Sequence, residues 1–215
     1  GVGDETRTWG PPFAGGEAAY FLAVNRSKRS VALDLRDARA QEAVLRLAER
    51  ADVVLENFGA GGADRLGVGY DRLSAARPGL VYCSMSAFGQ TGPYRDKPGH
   101  DPIALSIAGV LSRCGEDPEA PSFPGVPVAD LLTGANAAIG VLTALHARAT
   151  TGKGQRVDIA MSVSGMALLA NLVSRNPDLS RLPPRGRRRA DAGLWRCADG
   201  RFVCTTDMEP RYWAR

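Results

Sequence analysis

The sequence is poor in the side chains and patterns that most metal and nucleotide centres need. Its 215 residues contain two histidines, His100 and His146, and four cysteines, Cys83, Cys114, Cys197 and Cys204. The cysteines lie far apart with no C-x-x-C pair, which argues against zinc spacing and against a dense disulfide framework. Free thiols in a reducing compartment are the simpler reading. The histidines are too far apart and too poorly accompanied to suggest a metal site. No apolar run reaches membrane-spanning length without a charge or a break, and no secretory signal opens the sequence as given. The expected compartment is the cytoplasm.

The familiar nucleotide and hydrolase motifs are missing too. Thr151-Gly152-Lys153-Gly154 has the flavour of a phosphate loop, but the required glycine five positions before Gly152 is Ala147, and Gly154 stands where Ser or Thr belongs. No G-x-G-x-x-G follows a strand, and no G-x-S-x-G elbow occurs. The net charge is +4 with a pI of about 9.1. Most of the basic residues are arginines scattered among acids, so a nucleic-acid partner is not indicated. The one cluster, Arg185 to Arg189, reads as a solvated loop ahead of an anion site. No internal repeat or low-complexity segment occurs.

What is present is an alternation of strands and helices, in a composition (44% hydrophobic, 23% charged) ordinary for a globular protein. Gly1–Gly16 is Gly- and Pro-rich and reads as a loop. Val31–Leu35 is expected to be a strand. A helix is expected from Arg36 or Asp37 to about Arg50, with Ala40, Val44, Leu47 and Ala51 on one face. Asp52–Asn57 reads as a buried strand, Tyr70–Arg77 as a helix stopped by Pro78, and Leu80–Ser86 as the next strand. Ile103–Ser112, Leu131–Ala149 and Ser162–Ser174 read as helices, and Gln155–Ala160 as a strand. Ala198-Asp199-Gly200 between two apolar runs signals a hairpin. Strands alternating with helices imply an α/β fold with a parallel sheet. Ligands of such sheets collect at the carboxyl ends of the strands. Here these ends carry Glu56-Asn57-Phe58-Gly59 and the Ser86–Pro93 loop with Gly89, Gln90 and Gly92.

The stretch from Lys97 to Met161 holds the two titratable groups of most interest. His100 follows Pro98-Gly99. Asp130 stands at the start of a long small-residue helix, where it serves equally well as an N-cap or as an acid/base group. His146, near the end of that helix, reads as a surface or dipole-complementing residue. Met85, Leu105 and Met161 could line an apolar groove, with a core role the plainer reading for each.

The chain resembles the class III CoA-transferase superfamily, which includes the alpha-methylacyl-CoA racemases. The likeness is carried by Asn25–Leu35, Ala51–Phe58, Gly89-Gln90-Thr91-Gly92-Pro93, Ala129-Asp130 and Thr151–Asp158, and it runs over nearly the whole sequence. It implies a Rossmann-like parallel sheet with flanking helices and the start of a smaller α+β domain. The expected boundaries are 1–175 for a large CoA-binding domain, 176–193 for a linker and 194–215 for the small domain. The resemblance also implies an interlaced homodimer acting on acyl-CoA thioesters, with no cofactor beyond the coenzyme A moiety of the substrate and no metal. Members begin with a strand before the position of Gly1 and continue past that of Arg215. The sequence is therefore expected to be a fragment, unstable or inactive alone.

Within the superfamily, Gly99-His100-Asp101 resembles the racemase histidine motif, and the interval from His100 to Asp130 fits the racemase pair. Asp207–Trp213 resembles the segment whose glutamate, here Glu209, partners that histidine. The resemblance implies His100 and Asp130 as the two acid/base groups for an α-proton, with Glu209 orienting His100. Backbone N–H groups at the start of the Asp130 helix are the expected donors to the enolate oxygen. The runner-up is CoA transfer between carboxylic acids with Asp130 as nucleophile. A degenerate CoA-binding or dimerisation remnant is the non-enzymatic alternative. Arg26, Lys28, Arg29 and Arg95 are the expected phosphate contacts, with Gly89, Gln90 and Gly92 allowing close backbone approach. The family's Arg-Pro-Gly after Glu-Asn-Phe is replaced here by Gly59-Ala60-Gly61, and Arg65 is the nearby candidate to compensate.

Overall fold

The computed structural model describes residues 3–115, 120–175 and 192–206. A short antiparallel pair, β1 (Phe13–Ala14) and β2 (Glu17–Ala18), leads into α1 (Ala19–Val24). The strand expected at Val31–Leu35 does not form. Val31 is 68% exposed, and Leu35 alone of that segment packs on the core. An apolar alternating run makes a strand only where a neighbour supplies ladder bonds.

The helix α2 (Ala38–Ala48) starts where expected because the Asp37 carboxylate accepts from the Arg39 amide. Ala40 and Ala48 are its buried residues, whereas Leu47 faces solvent. The strand β3 (Val53–Glu56) follows, then α3 (Gly62–Arg65), α4 (Tyr70–Ala76) and β4 (Val81–Ser86). Next come α5 (Asp101–Ile107), α6 (Val128–Thr151) and β5 (Arg156–Ala160). The helix expected at Ile103–Ser112 thus starts at Asp101 and gives way to a separate 3-10 turn at Leu111–Arg113. The one expected at Ser162–Ser174 is two, α7 (Met161–Ala167) and α8 (Ala170–Arg175). An antiparallel hairpin of β6 (Ala192–Arg196) and β7 (Phe202–Thr206) turns at Asp199-Gly200 as expected.

The sheet is parallel, in the order β3-β4-β5. This is an α/β fold. β4 is central and its first four residues are buried. β3 is an edge strand rather than a buried one, and Leu55 is half exposed. Two apolar clusters hold the helices. Leu73, Leu80, Tyr82 and Val68 lie under α2 and α4, and Ala104, Leu105, Ala108 and Ala129 join α5 to α6. Leu73 and Leu80 are fully buried, each worth roughly 1.5–3 kcal/mol in removed apolar surface. The Tyr82 hydroxyl donates to the Val68 carbonyl at 3.0 Å, so its burial leaves no polar group unmet.

By length and composition α6 is apolar enough to cross a membrane, a point the sequence expectation missed. Its buried positions Ala129, Thr133, Ala137 and Ala144 recur at helical spacing, and it packs on β4, β5, α5 and α7.

Candidate active site

The parallel register brings the carboxyl ends of the three strands to one edge: Glu56 is opposite Ser84, and Ser86 is opposite Ala160. The chain leaves these ends as Asn57, as Ala87 and as Met161 at the start of α7. Across from them stand the N-termini of α5 and α6. Between lies an open cavity of about 420 Å³, lined by Asn57, Gly59, Met85, Ser86, Gly99, His100, Asp130, Thr133, Gly134 and Met161. His100 and Asp130 therefore face one space, although they are 30 positions apart in sequence. Of the three candidate groove residues, Met85 and Met161 line the cavity, while Leu105 is buried in the core. Cys83, one residue before this edge, is buried, and burial pushes its thiol up to about 11, which makes it a packed side chain rather than a nucleophile.

Asp130 is not an N-cap. The helix begins at Val128, with Pro127 in the cap position and no side-chain cap bond. The capping comes from another element. The Asp101 carboxylate, 8% exposed, accepts from the Ala129 amide at 2.6 Å and from the Asp130 amide at 3.1 Å. The Val128 amide donates to the Val126 carbonyl and that of Leu131 to the Pro127 carbonyl. The first four amides of α6 are thus occupied. The expected enolate donors at that helix terminus are not free, because α6 is tied to the start of α5 by a carboxylate.

This arrangement sets the charge of Asp130. Partial burial raises its pKa, the neighbouring Asp101 carboxylate raises it further, and His100 opposes both. Among the described residues Asp130 makes no ion pair. A carboxylate that is uncompensated, held above its ordinary value and set in a cleft beside an imidazole is equipped to exchange protons. Sequence reasoning quotes Asp101 only as a motif residue. An acid beside Pro102 in a helix's first turn signals a charge at a positive helix end, and only the fold shows that the end it caps is another helix.

The expected cationic and glycine-loop residues do not line this cavity. Lys28 turns back on its own chain, its Nζ donating to the Val24 carbonyl and to Asn25 Oδ1 at 2.7 Å, so it closes the end of α1. Arg26 and Arg29 are exposed. Gln90 braces two loops, its Oε1 accepting from the Gly61 amide at 3.1 Å and its backbone amide donating to Asp158 at 3.0 Å. Gly89 and Gly92 flank it with positive φ. A Cβ placed on Gly61 would lie 3.3 Å from Arg65 Nη1 and 3.7 Å from Arg95 Nη2. The two guanidinium groups therefore converge over the Gly59-Ala60-Gly61 loop, at the carboxyl end of β3. Glu209 and the Arg185–Arg189 cluster lie outside the described residues.

The family model for CoA-transferase family III matches residues 1–215. Human succinyl-CoA:glutarate CoA-transferase is 37% identical over 174 residues, which is 81% of this chain and 40% of that protein. Human alpha-methylacyl-CoA racemase is 37% identical over 197 residues, 88% of this chain and 51% of that protein. The crystal structure of a CAIB/BAIF family protein from Brucella suis is 40% identical with a TM-score of 0.84, covering 93% of this chain and 55% of that one. The chain spans about half the length of the relatives it matches, or less.

Proposed function

This chain belongs to CoA-transferase family III, and we propose that within it the protein racemises 2-methyl-branched acyl-CoA thioesters by removing and returning the α-proton. The observation that carries this reading is that His100 and Asp130 line one cavity. Inverting a carbon next to a thioester carbonyl requires proton removal from one face and proton delivery to the other. Two acid/base groups flanking the substrate satisfy that need, and a nucleophilic reaction needs only one. Burial and the Asp101 carboxylate raise the pKa of Asp130, which suits it to exchange a proton, and His100 supplies the second acid/base group. Glu209 is assigned the task of orienting His100.

The enolate oxygen needs a donor that is not already occupied. At the start of α5, Pro102 has no N–H, and Ile103 and Ala104 donate to the His100 carbonyl. The Asp101 amide remains, and it takes the oxyanion in this scheme. The convergent Arg65 and Arg95 over Gly61, with Arg26, Lys28 and Arg29, bind the phosphates of the coenzyme, Arg65 replacing the missing family arginine. The active protein is an interlaced homodimer.

Family III CoA transfer is the second reading, favoured by the human succinyl-CoA:glutarate CoA-transferase relative. There Asp130 attacks the thioester and CoA leaves as thiolate, giving a mixed anhydride. The thiolate attacks the aspartyl carbonyl and releases the first acid as a carboxylate. The second carboxylate attacks the aspartyl thioester and expels the thiolate, which then attacks the acceptor's carbonyl to give the new thioester and free Asp130. The two readings separate in deuterium oxide. The complete protein is given one epimer of a 2-methylacyl-CoA without acceptor acid, with NMR at the α-carbon and chiral chromatography as readouts. Deuterium incorporation with epimerisation is expected. No exchange, with CoA transferred to a free carboxylic acid when one is added, assigns the transferase instead.

A further inference from the structure

Three glycines line the cavity, and two have a local reason to be glycine. Gly59 has φ +76°, a backbone that side chains rarely adopt. Gly99 is close-packed, since a Cβ there would lie 2.7 Å from the Ala87 Cβ and 3.2 Å from Phe88. Gly134 has neither reason. It sits inside α6 with ordinary helical backbone, and a Cβ added to it meets nothing within 4 Å. A glycine in a helix interior costs about 0.5–1 kcal/mol relative to alanine. The same helix shows what a packing glycine looks like: at Gly140 a Cβ would meet Val157 Cγ1 at 2.8 Å. Among the described residues, the open space at residue 134 thus belongs to the cavity that Gly134 lines and is filled by no neighbouring side chain.

Its position says what the space receives. Residue 134 follows Asp130 by four, so it lies on the same helical face one turn on, at a rise of about 6 Å. Met85 and Met161, flexible thioether side chains that adapt to apolar shapes, line the same cavity. We infer that Gly134 is a specificity-determining residue, leaving a notch in the cavity wall that takes the part of the acyl chain a few bonds beyond the thioester carbonyl. This rests on the acyl-CoA reading above. A side chain at 134 would shorten the longest acyl group the site accepts.

The test uses the complete protein and its Gly134→Ala and Gly134→Val variants, with Gly140→Ala as the packing control. Binding of CoA, acetyl-CoA and a 2-methyldecanoyl-CoA probe is measured by calorimetry, and the thermal midpoint is measured for each variant. In Gly134→Val the ratio of long-chain to acetyl dissociation constants is expected to rise at least tenfold, with a smaller rise in Gly134→Ala. The midpoint of Gly134→Ala is expected to hold or rise, while that of Gly140→Ala falls. Equal weakening for CoA, acetyl-CoA and the long probe overturns the inference, because residue 134 would then shape coenzyme binding. A midpoint in Gly134→Ala that drops as in Gly140→Ala overturns it as well, by making the glycine a packing requirement. An unmodified protein that binds CoA but does not distinguish it from the acyl thioesters removes the notch's ligand. One that binds none of the three overturns the acyl-CoA reading itself, and the inference with it.

Discussion

The two ends of α6 treat charge in opposite ways. At its carboxyl end Arg148 donates to the Gly79 carbonyl at 2.9 Å and to Asp52 Oδ1 at 3.0 Å, and Asp52 also accepts from Arg77 at 3.2 Å. Gly154 lies so close to the Leu80 carbonyl that any Cβ would overlap it. Charges there are matched, and the chain that leaves the helix packs tightly under the sheet at Gly154. At the amino end Asp130 stands without an ion pair among the described residues, its carboxyl held above its ordinary value, beside a glycine with room around it. One end is packed to hold helix and sheet together. The other keeps unmatched charge and empty volume, which are what a reaction needs and what packing removes.

The largest expected difference between the ends lies in turnover. Asp130→Asn should lower α-proton exchange by roughly 10²–10⁴-fold, the usual range for a positioned acid/base group. It should not lower stability at neutral pH. Because the folded-state pKa is raised, the stability tied to this group is complete below its ordinary value of 3.8 and lost as pH rises through the raised value. At pH 7 the penalty is in force and the amide removes it. Melting at pH 7 should therefore match or exceed that of the parent, and the advantage should disappear near pH 3. A fall in the midpoint at pH 7 would mean that the charge is matched by groups outside the described residues.

Next in size is the carboxylate between the helices. Asp101→Ala leaves two amides at the start of α6 without their acceptor, at about 2–3 kcal/mol. A denaturant titration should show the loss in midpoint with an unchanged slope. Asp101→Asn should recover part of it, since the amide oxygen still accepts a hydrogen bond. Smallest is Asp52→Asn at the packed end. Asp52 is 65% exposed, so screening leaves its two arginine contacts about 1 kcal/mol or less, with turnover unchanged. If Asp52→Asn impaired turnover as much as Asp130→Asn, the division between the two ends would fall.

Much of this is legible in the sequence. The strand–helix alternation, the hairpin at Asp199-Gly200 and the helix starting after Asp37 all follow from local pattern and cap chemistry. The errors share a cause. Val31–Leu35 has strand composition but no ladder partner, Leu47 fits a helical face that turns outward, and Asp130 has cap chemistry in a helix that begins two residues earlier. In each case the local preference is real and a neighbour distant in sequence decides the outcome.

The sequence alone determined the α/β class and His100 and Asp130 as the residues to watch, because periodicity and turn chemistry are local properties of a chain, and its resemblance to known members pointed to the family. Tertiary structure decided that these two side chains share a cavity, that Asp101 occupies the amides of α6, that Arg65 and Arg95 meet over Gly61, and that Gly134 borders open space. Each of these is a relation between segments brought together by the parallel register. A distance through space is fixed by packing, and no local pattern along the chain carries it.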